Sequence, residues 1–365
     1  SVMQVWTGTL WETVKFKPPI NVSGGTISDS ARSGYITHTF TSSGSLVTDG
    51  ELTSAEVFVI GGGGGGGGNR YGGGGGAGGA NYGTGITLTA TTHPVTIGPG
   101  GSGGSAQTPS SPTGSKGSDG GHTSFQTSPS PLYRTGRGGG GGGSHDVPSP
   151  SHRNGQPGGS GGGATSYTGN TGGGQGQSAY NSGKPTNYGQ PGAGYQTSNV
   201  GTGGNGWAAA GGGGATQAGF GPPSPGAPDQ RFRGGGNGGD GVQLSISGTA
   251  TYYGGGGGGS SFSYVTDPAP SFPAPNQLKC RGGNGGGGCG NNQPNSAPTQ
   301  SGPGLNPYAA GTNGSSPNQH GVANTGSGGA GAQPTYGFSL IGGNGGSGLV
   351  IVAYPTTQAA GEVRF

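Results

Sequence analysis

The sequence predicts a mainly β and irregular fold with essentially no α-helix: a β-sandwich-like frame into which a packed bundle of extended glycine segments is inserted. Three observations carry this. Glycine supplies 101 of 365 residues and proline 28. The glycines fall in long runs between short apolar strands, as where Val57-Phe58-Val59-Ile60 leads straight into Gly61 to Gly68. Nowhere do apolar residues recur at helical spacing, and glycine costs about 1 kcal/mol per helical position relative to alanine.

Composition excludes several classes. Runs such as Gly138 to Gly143 and Gly254 to Gly259 break any Gly-X-Y triplet, so the chain is not collagen. Basic residues number 14 and acidic residues 11, giving a net charge of +3 with no charge block, unlike the highly charged disordered class. Apolar residues make up 25%, enough for a conventional core in only part of the chain. No apolar stretch is long enough for a transmembrane helix. The segment from Ser1 to Trp6 lacks the basic and apolar regions of a signal peptide. Two cysteines, Cys280 and Cys289, define neither a disulfide framework nor a structural zinc site.

Residues 1–21 differ from the rest. They hold Trp6, Trp11 and Phe16 in a β-like pattern ended by Pro18-Pro19, and read as an attachment arm or as a first strand of the main sheet. Residues 22–365 form the glycine-rich domain. Within 34–60, Tyr35, Thr37 and Thr39 alternate with Ile36, His38 and Phe40; turns at Ser42 to Gly44 and Thr48 to Gly50 then separate three antiparallel strands. Residues 86–98 supply a further pair of strands, and 242–247 and 349–354 the late strands. A sheet that closes the N-terminal strands against the C-terminal one brackets the glycine region as insertions.

The glycine runs include 72–76, 158–163, 201–206, 211–214, 234–241, 282–288, 326–331 and 342–348. Flexible linkers are the default reading of such runs, but no domains lie between them to be linked. The competing reading is packed polyglycine in the polyproline II conformation. That helix has three residues per turn and no internal hydrogen bonds, so its amides must pair with neighbouring helices or water. An eight-residue run spans roughly 25 Å at that rise. Ordering glycine is costly in backbone entropy, so such a bundle must be large and cooperative, which many runs in one chain allow. An internal repeat supports order: Gly235-Gly-Asn237-Gly-Gly-Asp240-Gly-Val242 is echoed by Gly342-Gly-Asn344-Gly-Gly-Ser347-Gly-Leu349, and both copies lead into a strand.

Five stretches then carry a resemblance: Gly34 to Gly44 (GYITHTFTSSG), Val57-Phe-Val-Ile-Gly-Gly-Gly, Val95-Thr-Ile-Gly-Pro-Gly-Gly101, Gly117-Ser-Asp-Gly-Gly-His-Thr-Ser-Phe125, and the close from Gly345 to Pro355. In this order they resemble the glycine-rich domain of bacteriophage tail fibres and related virion proteins, common in phages of cyanobacteria, over about residues 22 to 355. A looser similarity is to the tail-tip adhesins of T-even phages, where polyglycine II helices carry variable loops that touch the host receptor. This chain departs from those adhesins in keeping β-strands at both ends of the glycine region.

Other motifs point to less. Gly235 to Gln243 fits a calcium-binding nonapeptide, but no tandem copy follows and Ser347 replaces Asp240 in the echo, so a turn before a strand is the better reading. Arg137, Arg233 and Arg281 each precede Gly-Gly; three scattered arginines neutralise too few phosphates for nucleic-acid binding. Gly183-Lys184 is followed by Pro185 and forms no phosphate loop. His145 and His152 flank Asp146 in a stretch read as a solvated loop rather than a metal site. The carboxylates show no glycosidase-like pair, so no catalytic residue, metal or cofactor is nominated. A disulfide between Cys280 and Cys289 would contribute about 2–3 kcal/mol; a reducing cytoplasm leaves two free thiols instead.

The loop aromatics are the recognition candidates: Tyr133, Tyr167, Tyr180, Tyr188, Tyr195, Phe232, Tyr264 and Tyr308. Tyrosine among Asn, Ser and Gly makes an adaptable binding surface at low entropic cost; capping of the bundle ends is the alternative role. Asn69-Arg70-Tyr71 reads as the first presented tip. The resemblance implies an extracellular, virion-located attachment protein. Its partners would be a host-surface glycan or outer-membrane protein, and other tail proteins or further copies of itself through the N-terminal arm. A homo-oligomer is expected, without nucleic acid. The alternative is a purely structural subunit of a fibril or a capsid or tail decoration.

Overall fold

The computed structural model describes residues 4–6, 8–13, 15–17, 19–69, 71–105, 114–126, 134–144, 152–165, 172–176, 187–194, 206–222, 235–263, 281–289, 319–332, 341–360 and 362–364. Its strands are β1 (Gln4–Trp6), β2 (Trp11–Thr13), β3 (Lys15–Lys17), β4 (Val22–Ser23), β5 (Thr26–Ser28), β6 (Tyr35–Phe40), β7 (Gly44–Thr48), β8 (Leu52–Ile60), β9 (Ala80–Leu88), β10 (Thr92–Thr96), β11 (Thr123–Phe125), β12 (Arg134–Gly136), β13 (Asn187–Tyr188), β14 (Gly206–Ala208), β15 (Val242–Leu244), β16 (Thr251–Tyr253), β17 (Ser261–Ser263), β18 (Leu349–Pro355) and β19 (Glu362–Arg364). One helical turn, α1 (Thr356–Ala359), is the sole α-helix among the described residues.

Two antiparallel sheets form the frame, with strand orders β13-β9-β8-β18-β6-β5 and β12-β11-β10-β7-β4. The C-terminal β18 lies between β8 and β6, so the chain's end completes the sheet begun near its start. Period-2 alternation decides the packing. Val57, Val59, Val350 and Val352 join Phe40, Leu46, Leu88, Val95 and Phe125 in the core between the sheets. Phe58, Ile60, Leu349 and Ile351 point the other way, onto Val242, Ile246, Tyr253 and Ala215. Both faces of β8 are therefore covered, which explains its unbroken apolar run. Each such side chain contributes about 1.5–3 kcal/mol on burial.

Three strand pairings differ from the sequence reading. β6, β7 and β8 do not form successive hairpins: β6 and β8 flank β18, while β7 pairs with β10 and β4 in the opposite sheet. β9 and β10 are likewise not a pair, because they belong to different sheets. Short turns favour hairpins locally, but here consecutive strands cross between sheets so that both inner faces are apolar. Finally, among the described residues β15 pairs with β16 alone, and this hairpin covers the outer face of the six-stranded sheet. β1 and β2 pair with each other and β3 with β19, so no described arm strand joins either large sheet.

Beyond Ile60 the backbone enters a glycine lattice. No amide of 61–68 donates within its own run. Gly61, Gly64 and Gly67 donate to Gly79, Gly76 and Gly73; Gly62, Gly65 and Gly68 donate to Gly121, Ser118 and Ser115; Gly63 and Gly66 donate to Gly346 and Gly343. Partner numbers fall by three as donor numbers rise by three, so these neighbours run antiparallel. Carbonyls use the remaining directions: Gly62 and Gly65 accept from Gly139 and Gly142, Gly63 and Gly66 from Gly101 and Gly104, Gly64 and Gly67 from Gly329 and Ala332. These neighbours run parallel. The segment 72–79 is surrounded in the same way, through partners such as Ala332, Gly143, Ala210, Gly257 and Gly163. A β-carbon on any residue of 61–68 would stand 1.8–2.3 Å from a neighbouring carbonyl oxygen, which is why the run has no side chains.

Candidate functional site: the distal end of the glycine lattice

β8 feeds Gly61 from the frame, so Gly68 marks the opposite, distal end. Hydrogen bonds transfer this polarity from segment to segment. Gly68 donates to Ser115, and Gly104 to Gly66, so the flanks of 106–113 are distal. Ser144 donates to the carbonyls of Gly68 and His152, which places both flanks of 145–151 there. Thr165 bonds Arg153, and Gly155 bonds Gly172, around 166–171. Ala164 bonds Ala193 before 195–205, and Ala209 bonds Ser260 after it, Ser260 in turn bonding Gly72. The flanks of 223–234, 264–280, 290–318 and 333–340 follow through Gly236 to Ala209, Gly258 to Gly288, Ala330 to Gln319, and Gly342 to Gly104. Four frame-side reversals are short, bends at 158–160 and 215–217 and turns at 284–286 and 323–326; the flanks of the longer 177–186 also lie at the frame.

Around the reversal between 61–68 and 72–79 the lattice is finished by polar and aromatic side chains. Asn69 and Tyr71 both take left-handed backbone, with φ of 61° and 55°. They are 0% and 5% exposed, so Asn69 and Tyr71 belong to a buried platform and are not presented, while Arg70 lies outside the described residues. The chain must reverse inside the lattice between 61–68 and 72–79, where neighbouring segments enclose it. Ser144 donates to Gly68 at 3.0 Å, Ser260 to Gly72 at 3.2 Å, and Thr165 to the carbonyl of Tyr71. All three are fully buried. They satisfy carbonyls that the ending lattice leaves over. Their sequence signal was a Ser or Thr at or just after the end of a glycine-rich segment.

The recognition candidates divide by connection. Tyr167, Tyr195, Phe232, Tyr264 and Tyr308 fall in stretches whose described flanks are distal; the residues themselves lie outside the described ones, as do Tyr133 and Tyr180. The flanks of 127–133 belong to the frame strands β11 and β12. Those of 177–186 lie at the frame side, through Gly158 to Gln175 and through β13. Tyr188 lies on edge strand β13, paired with Ala80 and packed partly buried against the outer-face core. Trp6 lies on β1, 52% exposed and opposite Trp11. Phe16 lies on β3, opposite Val363. Cys289 is a partly buried free thiol whose pKa burial pushes up; Cys280 lies outside the described residues.

Charge is used inside the frame. Arg32 forms a two-pronged bond to Glu56 at 2.8 and 2.9 Å, stacks 3.7 Å over the Tyr35 ring, and Tyr82 donates to the same carboxylate at 2.8 Å. Burial alone would raise the Glu56 pKa, but the bonds from Arg32 and Tyr82 and the Arg32 charge together hold it down. His38 and His93 are buried between backbone carbonyls and the side chains of Tyr354 and Gln126. These groups are internally satisfied and brace the frame. Among the described residues no group of three or more His, Cys, Asp or Glu could hold a metal ion, and no helix is long and apolar enough to cross a membrane.

A two-sheet frame and a backbone-bonded lattice with most of its long connections flanked at one end define a glycine-rich β protein. Residues 39–270 match the glycine-rich domain family, and the chain belongs to it. No curated protein matches the chain.

Proposed function

We propose that the glycine segments are polyglycine II helices and that the chain is an extracellular, virion-associated attachment protein of the tail-fibre or adhesin kind. Its distal connections contact a host-surface glycan or outer-membrane protein, and its N-terminal arm joins other virion proteins or further copies. The helix assignment is supported by partners that recur every third residue and by the lack of bonds within 61–68. The attachment reading rests chiefly on one observation: most of the long connections between glycine segments, 177–186 excepted, leave and return at the end farthest from the frame. Loops on a rigid scaffold are where binding residues concentrate, and these stretches are rich in Tyr, Asn, Gln and Ser.

Binding of the purified protein to a panel of bacterial cells tests this reading. Saturable binding that is lost on replacing 166–171 or 195–205 by Gly-Ser of equal length, and kept on replacing the frame-side 127–133, supports it. A protein that ignores every cell but polymerises end to end supports the purely structural subunit instead.

A further inference from the structure

The flanks of the lattice carry a second pattern, independent of its distal end. Most lattice amides bond to neighbouring carbonyls, but several, mostly on partly exposed segments, bond to side chains instead. Gly103 donates to Asn344 Oδ1 at 2.8 Å, Arg281 to Asn237 Oδ1 at 2.9 Å and Asn284 to Asp240 Oδ1 at 2.8 Å. Gly172 donates to Asn154 Oδ1 at 2.9 Å, Gly141 to Asp119 Oδ1 at 2.8 Å and Asn344 to His320 Nδ1 at 2.8 Å. Asn237 and Asp240 stand three residues apart and serve two amides of one neighbouring segment, also three apart. The repeat Gly-Gly-Asn-Gly-Gly-(Asp/Ser)-Gly thus has a physical purpose. Its glycines permit close approach, and its polar positions put acceptors on the outer face.

An unprotected edge of backbone donors and acceptors is a template for pairing with another chain. In this lattice the template would accept any extended glycine segment, and each molecule carries many. We propose that the side-chain acceptors keep the lattice finite: they occupy amides on which a glycine segment of a second copy would dock, so lattices of different molecules do not fuse sideways. Contacts between copies are then confined to the ends, where the arm and the distal connections lie.

The test compares full-length protein with N237G/D240G/N344G, which removes three acceptors, and with N237D/D240N/N344D, which keeps an acceptor at each position. Light scattering measures association, and hydrogen exchange reads the amides of Gly103, Arg281 and Asn284. The glycine variant is expected to associate at least tenfold more tightly than the parent, with protection of those amides rising with concentration. The acceptor-keeping variant should match the parent. The proposal is overturned if the glycine variant retains protection across 61–68 yet stays as dispersed as the parent, or if both variants associate alike. Should the triple variant lose its lattice, N344G alone decides, since Gly342 and Gly345 still bond Gly104 and Gly101. Concentration-dependent protection of Gly103 is then expected, and its absence overturns the proposal.

Discussion

Ile60 and Leu349 stand directly opposite one another across the β8–β18 register, and each borders a glycine segment, with Gly61 following one and Gly348 preceding the other. At this pair the sheet gives way to the lattice. The strands that enter it are fixed by apolar packing on both faces, so the lattice inherits a rigid base. Mutations on either side of the junction should therefore act by different means.

Within the lattice, added volume is the fault. A β-carbon at Gly66 would stand 1.8 Å from the Ala330 carbonyl oxygen, whereas one at Gly172 would meet nothing within 4 Å. Gly66→Ala should cost about 3 kcal/mol or more, and Gly172→Ala within about 0.5 kcal/mol, both measured by chemical denaturation. Equal effects would show that close approach is not what holds 61–68.

Within the frame, lost partners are the fault. Arg32→Ala leaves the 8%-exposed Glu56 with only the Tyr82 hydroxyl, and should cost about 2 kcal/mol. Tyr82→Phe should cost about 1–2 kcal/mol, since the Arg32 fork stays. A double-mutant cycle on Arg32 and Tyr82 should show coupling, because both serve one carboxylate.

Acid should destabilise the fold. Burial is the largest cause holding His38, His93 and His320 below the ordinary value of 6.5. The unfolded chain therefore takes up protons at a higher pH than the folded one. This stabilisation is complete above the unfolded value and is lost as pH falls below it towards the folded values. His320 Nδ1 also accepts the Asn344 amide, a bond that protonation at that nitrogen would abolish. Thermal denaturation should give a steady midpoint above about pH 7 and a falling one from about pH 6 downward. An unchanged midpoint across that range would contradict the histidine placements.

The closing strand should be indispensable. A chain ending at Gly348 lacks β18 and leaves β6 and β8 without their common partner. It should show no cooperative unfolding transition by calorimetry, whereas a chain ending at Pro355 should keep one.

Much of this was legible in the residues. The apolar run before Gly61, the closing strand and the glycine segments leading into Val242 and Leu349 stand in the sequence with nearly their observed bounds. The pairing of those strands was not legible, because turns at Ser42 to Gly44 and Thr48 to Gly50 suit a hairpin as well as a crossing between sheets. Nor was the end at which each connection leaves, which depends on hydrogen-bond register between segments more than a hundred residues apart, as for Gly63 and Gly346. Asn69 and Tyr71 look like an exposed tip by composition and are buried by their surroundings. The polar positions of the repeat were visible, but their use as amide acceptors needs the neighbouring segment.

Amide hydrogen exchange across 61–68 and 72–79 tests the ordered lattice most directly. These amides bond to carbonyls of surrounding segments, and the run is buried, so exchange should be slow and should accelerate together only on global unfolding. Exchange at the rate of an unstructured glycine peptide would contradict the lattice and, with it, the rigid support for the distal connections.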